Sequence, residues 1–183
     1  MVNVGFCYDN GEGVKQDETK AFEWYLKSAE NGNTKAMFNV GVCFDNGEGV
    51  TQDKTKAFGW FLKSAESGYV DGMFNVGLRF FKGEGVTQDT TKAFGWFLKS
   101  AEKGNVYGMH NVGVCYDYGE GVIQDTTKAF EWFLKSAENG YVDAMNTVGC
   151  CLCRGIGVSR DLKKAREWFA KASKNEEQNR KKL

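Results

Sequence analysis

Apolar and small residues recur along this chain at helical spacing, in blocks that repeat. After Asp53, the residues Ala57, Trp60, Phe61, Ser64 and Ala65 fall at i, i+3, i+4, i+7 and i+8, the stripe that one face of a helix buries. Asp53 stands where an N-cap carboxylate accepts a backbone N–H and meets the positive end of the helix dipole. Asp17, Asp89, Asp125 and Asp161 hold the same place. Gly68 stops the helix in the left-handed conformation that glycine permits, as do Gly32, Gly104 and Gly140. A second helix starts within a few residues and presents Gly72, Met73, Val76, Gly77 and Phe80 on its inner face. Small residues there (Ala36 and Ala144 in place of Gly72, and Gly41, Gly113 and Gly149 in place of Gly77) let two helices approach closely.

This second helix ends in a glycine-rich loop. Gly11-Glu12-Gly13-Val14 recurs at Gly47, Gly83 and Gly119 and decays to Gly155-Ile156-Gly157-Val158, each copy 36 residues after the last. A fixed period in that range marks a repeat array. Two antiparallel helices of about 13 residues cannot bury both faces alone, so stacked neighbours must supply the missing partner. The expected fold is all-α: one solenoid of stacked antiparallel helix pairs over 1–183. It divides into a truncated first unit (1–35), full units 36–71, 72–107 and 108–143, and a last unit, 144–183. In that last unit Phe58, Phe94 and Phe130 give way to Arg166, and Leu62, Leu98 and Leu134 to Ala170. Glu176 replaces the stop glycine, and a polar tail from Asn175 to Leu183 extends the final helix, which reads as a C-terminal cap. The opening Met1–Phe6 is in phase with Met37–Val42, so the sequence starts inside a repeat and reads as a segment of a longer protein. That uncapped first unit is open to stacking on another chain; the oligomeric state is left open.

One unit reads Ala36, Val40-Gly41, Phe44, Gly47-x-Gly49-Val50, Asp53, Lys56-Ala57, Trp60-Phe61, Ser64-Ala65 and Gly68. This resembles the Sel1-like repeat family, a relative of the tetratricopeptide arrays, over nearly the whole chain. The resemblance implies a right-handed α-solenoid that scaffolds protein complexes.

Composition narrows the partners. With 24 basic and 24 acidic residues the formal net charge is zero, which argues against a nucleic-acid binder. No apolar run approaches the roughly 18 residues of a membrane span. Proline is absent and glycine occurs 23 times, so glycines and caps do the punctuation. Cys7, Cys43, Cys115 and Cys151 share one repeat position, with Arg79 in the remaining unit. Equivalent residues of adjacent repeats should lie about 10 Å apart, beyond the reach of a disulfide. Some secreted members of the resembled family staple the two helices of a unit, but no cysteine here lies on a Trp-containing helix. Reduced thiols and a cytoplasmic setting are expected.

Other candidate chemistry is weak. Cys150 and Cys153 fall at i, i+3 and offer two thiolates, whereas a structural zinc site takes four ligands. His110, the single histidine, has no nucleophile or carboxylate constellation beside it. Gly-Glu-Gly-Val lacks the Lys-Ser/Thr of a phosphate loop. The ladder Lys56, Lys63, Lys92, Lys99, Lys128 and Lys135 is balanced by Glu66, Glu102 and Glu138. No catalytic residue, metal or cofactor is expected, and the chain reads as a non-enzyme.

The inner helices carry the variation. Across units, Phe38, Val42 and Asp45 correspond to Phe74, Leu78 and Phe81, then to His110, Val114 and Asp117, then to Asn146, Cys150 and Cys153. Asn39, Asn75 and Asn111 flank this stripe. In tetratricopeptide-like arrays this helix lines the concave groove, where asparagines clamp a peptide backbone. The expected partner-binding set is Phe38, Asn39, Val42, Phe74, Asn75, Leu78, Arg79, Phe81, Lys82, His110, Asn111 and Val114. Arg79 and Lys82 beside the apolar residues suit a peptide with an acidic residue. The competing reading has Phe74, Leu78 and Phe81 packing between units. The expected function is a non-catalytic scaffold or adaptor for a protein or peptide. The alternative is a structural or regulatory arm of a larger enzyme, such as a kinase or synthase regulator, with no ligand of its own.

Overall fold

The computed structural model describes residues 1–180; residues 181–183, the end of the expected polar tail, lie outside it. The described residues form ten α-helices and no strand. They fall into two compact units, Met1–Asp89 and the residues from Thr90 onward. The first holds α1 (Val2–Asn10), α2 (Glu18–Glu30), α3 (Thr34–Asn46), α4 (Lys54–Glu66) and α5 (Val70–Lys82). The second holds α6 (Thr90–Glu102), α7 (Val106–Tyr118), α8 (Thr126–Glu138), α9 (Val142–Arg154) and α10 (Leu162–Arg180). Odd-numbered helices are those expected as the inner ones of the repeat, and even-numbered helices are the Trp-containing ones expected as the outer.

The starts and stops are local chemistry. The Asp53 carboxylate accepts from the backbone N–H of Thr55 and Lys56 at 3.1 and 3.0 Å, and Asp17 and Asp125 cap α2 and α8 in the same way. Asn33 and Asn105 cap α3 and α7 through their amide oxygens. Inner helices end on a left-handed glycine, Gly47 at the end of α3 having φ 82°. The loop that follows is tied back by its glutamine: Gln52 Nε2 donates to the Asp45 carbonyl at 2.7 Å, and Gln88 and Gln124 repeat the bond.

Packing between helices depends on small residues at fixed places. A Cβ on Gly41 would stand 2.7 Å from the Phe61 ring, so only glycine lets α3 lie this close to α4. Buried Ser64 donates from Oγ to the Thr34 carbonyl at 2.7 Å, which gives the buried hydroxyl a partner, and Ser136 does the same to Val106. Three outer helices, α2, α4 and α6, meet the next inner helix through an edge-to-face aromatic pair: Phe22 on Phe44, Phe58 on Phe80 and Phe94 on Tyr116, with centroids 5.2–5.4 Å apart. In the four loops after the first, the second glycine seats on the outer helix of the preceding repeat. Gly49 lies so close to the Glu18 carbonyl that any Cβ would collide with backbone, and Gly85 meets Lys54 likewise.

Candidate functional site

The inner helices place the expected partner-binding residues in three kinds of surroundings. Some are used for packing. Phe38 is half-buried, with its ring centroid 5.4 Å from both Phe61 and Tyr69. His110 rests on Phe133 and Tyr141 in the same manner, its Nε2 3.4 Å from Thr147 Oγ1. Burial holds the His110 pKa below 6.5, with Asp143 pulling the other way. Val114 packs against the core of the second unit. Phe74, Leu78 and Phe81 are half-buried on α5.

Others remain accessible. Lys82 is exposed, and Asn75 and Asn111 are half-buried. Both asparagines donate from Nδ2 to the carbonyl four residues earlier, Asp71 and Tyr107, at 3.0 and 2.8 Å. Their amide oxygens make no hydrogen bond among the described residues. Asn39 makes no side-chain hydrogen bond among them.

Arg79 is the third kind. Its Nη2 donates to Asp45 Oδ2 at 2.8 Å and its Nη1 to Glu84 Oε2, and its guanidinium lies over the Phe61 ring. The side chain is 12% exposed and Asp45 is 14% exposed. Asp45 takes a second cation, Lys54, at 2.9 Å. Arg79 therefore spends its charge inside the chain, and the expected cationic pair for an acidic peptide is reduced to Lys82. Opposite charges contributed by α3, α5 and the following loop converge only after stacking, which sequence spacing alone did not reveal.

The same frame occurs one period earlier with a different filling. Asp9, Tyr25, Cys43 and Glu48 stand 36 residues before Asp45, Phe61, Arg79 and Glu84. Where Arg79 would lie there is a cavity of about 190 Å³, lined by Phe6, Asp9, Tyr25, Lys35, Asn39, Val42, Cys43 and Glu48. Tyr25 Oη donates to Asp9 Oδ2 at 3.1 Å, and Asn46 Nδ2 to Glu48 Oε1 at 2.9 Å. Burial first, then the charges of Asp9 and Glu48, push the Cys43 thiol up to about 12. The Tyr25 phenol is raised by burial and then by Asp9. Two of the expected residues, Asn39 and Val42, meet here. Asp9, Tyr25, Cys43 and Glu48 were not among those expected; the signal available was Tyr25, the one hydroxyl where Phe61, Phe97, Phe133 and Phe169 recur.

The six cysteines are free: Cys43, Cys115 and Cys151 are buried, and Cys150 is exposed. Among the described residues no cluster of three or more His, Cys, Asp or Glu side chains is placed to hold a metal ion. No described helix is long and apolar enough to cross a membrane.

The Sel1 repeat model matches five consecutive segments, residues 1–33, 34–69, 70–105, 106–141 and 142–176. The chain belongs to the Sel1 repeat family. The matched Sel1 segments after the first open on the first residues of α3, α5, α7 and α9. A Sel1 repeat protein from Oxalobacter formigenes is similar at 30% identity with a TM-score of 0.90, over 95% of this chain and 72% of that one. A protective antigen of uropathogenic Escherichia coli strains that displays the SLR fold is 36% identical with a TM-score of 0.91, over 94% of this chain and 37% of that one. Helicobacter pylori cysteine-rich protein B is 25% identical with a TM-score of 0.56, over 73% of this chain and 96% of that one. No curated protein matches the sequence at a significant level. Sel1 repeat proteins are in general scaffolds for protein–protein interaction.

Proposed function

We propose that this Sel1 repeat array is a non-catalytic scaffold that holds a protein or peptide on the face lined by its inner helices. One observation carries the reading. The outer helices α4, α6 and α8 are nearly identical, each ending in Trp-Phe-Leu-Lys-Ser-Ala-Glu, whereas the inner helices keep their buried Val and Gly positions and vary elsewhere. A position that only maintains the stack is free to repeat. A position that reads a partner differs from unit to unit. Asn39, Val42, Asn75, Leu78, Lys82, Asn111 and Val114 are the accessible or half-buried members of that variable face and its asparagine border.

The test compares partner capture by the wild-type chain and by a variant carrying Asn39→Ala, Val42→Ser, Asn75→Ala, Leu78→Ser and Lys82→Glu. Arg79 is left intact because removing it takes the cation from Glu84 and one of two cations from Asp45. Partners retained by the wild type and lost by the helical, cooperatively melting variant support the inner-helix face. Equal capture by both moves the site to the outer helices or loops and overturns the proposal. No capture by either favours the alternative of a structural or regulatory arm.

A further inference from the structure

We infer that the cavity between α1, α2 and α3 is a receptor for an arginine side chain supplied by the bound protein partner. The inference rests on the scaffold reading above and names the chemistry that one part of the inner face recognises.

The argument is an internal comparison. In the second frame, Asp45 and Glu84 clamp a guanidinium that lies over an aromatic ring, Phe61. In the first frame the two carboxylates are kept as Asp9 and Glu48, and the ring is kept as Tyr25. The guanidinium alone is missing, because Cys43 stands where Arg79 does. Cysteine is short, and the space it leaves is the cavity. The other inner helices do not keep the full frame: in place of two acids they have Phe81 with Glu120 and Asp117 with Ile156. The first frame is thus the one with both acids and no internal cation between them.

Lys35, exposed, also lines the cavity, and among the described residues no ion pair joins it to Asp9 or Glu48. Phe6 and Val42 supply apolar wall for an aliphatic stem, and Asn39 has its amide available for the partner backbone. Guanidinium fits better than ammonium here. It is planar, offers five donors to two carboxylates, and stacks on an aromatic face. Charge-assisted hydrogen bonds to both acids would fix its position.

The experiment titrates the isotopically labelled full chain with Nα-acetyl-arginine amide and follows backbone amide shifts by NMR. Saturable shifts at Tyr25, Asn39 and Cys43 are expected, with a dissociation constant of about a millimolar, the range open to so small a ligand. The citrulline analogue, isosteric and neutral, should produce none, and the lysine analogue should bind more weakly. Asp9→Asn and Glu48→Gln should each weaken arginine binding by about 10- to 100-fold. Cys43→Arg supplies the guanidinium within the chain, as Arg79 does, and should raise the melting temperature while abolishing arginine binding. Equal shifts with citrulline, no shifts with arginine, or unaltered arginine binding by Cys43→Arg would each overturn the inference. Normal partner capture by Asp9→Asn/Glu48→Gln, with loss in the inner-face variant, would overturn the arginine receptor and leave the scaffold reading standing.

Discussion

Gly59 and Gly95 lie inside α4 and α6, where Glu23 and Glu131 occupy the equivalent places of α2 and α8. Glycine in a helix interior costs about 0.8–1 kcal/mol relative to alanine, because the unfolded chain has more freedom to lose. The gain is realised only where the added methyl group has room. At both sites an added Cβ meets no atom within 4 Å. Gly59→Ala and Gly95→Ala should therefore each stabilise by about that amount, and together by about 1.5–2 kcal/mol, since substitutions that share no partner add. For a chain of this size, roughly 2–4 °C accompanies each kcal/mol, so the double variant should melt about 3–8 °C higher. The control makes the same chemical change elsewhere. At Gly41 the methyl group would stand 2.7 Å from two carbons of Phe61, a ring that is 1% exposed and has nowhere to go. Overpacking of that kind costs about 1–3 kcal/mol. Melting followed by far-ultraviolet circular dichroism, with urea titrations alongside, measures all three. Gly59→Ala or Gly95→Ala melting at or below the wild-type temperature, or Gly41→Ala melting above it, would refute the reasoning.

The remaining predictions concern charge. Arg79→Ala should destabilise the chain by about 2–3 kcal/mol in urea titrations, less than a fully buried pair would lose because Lys54 still meets Asp45; a midpoint equal to wild type would show that the pair contributes nothing. Asp17, Asp53, Asp125 and Asp161 are held below 3.8, chiefly by the backbone N–H of the third residue on. Their contribution is complete above 3.8 and is lost as pH falls through the lower folded values, so Asp→Asn cap variants should differ most from wild type in pH dependence below about pH 4. His110, held below 6.5 by burial, makes the native state lose stability as pH drops below 6.5; His110→Phe, the residue of α3 and α5 at this place, should remove that slope, and an NMR titration should place the His110 midpoint under 6.5. Burial pushes Cys43 and Cys115 up to about 12 and Cys151 up to about 11. Exposed Cys150 should thus be alkylated first by iodoacetamide, read by peptide mass spectrometry, and equal labelling of Cys43 would contradict the burial.

The architecture was legible because its causes are local. Asp53 caps within three residues, Gly68 ends its own helix, and Ala57, Phe61, Ser64 and Ala65 mark one face of one helix. Four full copies of that grammar and a fifth without the stop glycine leave little room for another fold. The candidate site was less legible because it joins residues that meet through stacking. Arg79 was visible as the odd residue at a cysteine position, yet its partners Asp45 and Glu84 lie on α3 and on the loop after α5. Phe38 and His110 looked like free recognition residues because helical periodicity cannot tell a face open to water from one covered by the next helix and its entry loop. Shifting every position by one period would have exposed the Asp9 frame, since Tyr25 and Cys43 are the substitutions that set it apart.

The glycine that seats the later loops on the preceding outer helix also governs how such a protein changes length. Gly49 lies against backbone at Glu18, and Gly85 against backbone at Lys54, so neighbouring repeats are phased by main chain as well as by their aromatic pairs. Duplicating or excising one whole 36-residue period returns each such glycine to an equivalent seat. Adding one residue within a loop moves the glycine off its seat and throws the following helix out of phase. Copy number is therefore a variable that this architecture tolerates, whereas loop length is nearly a constant.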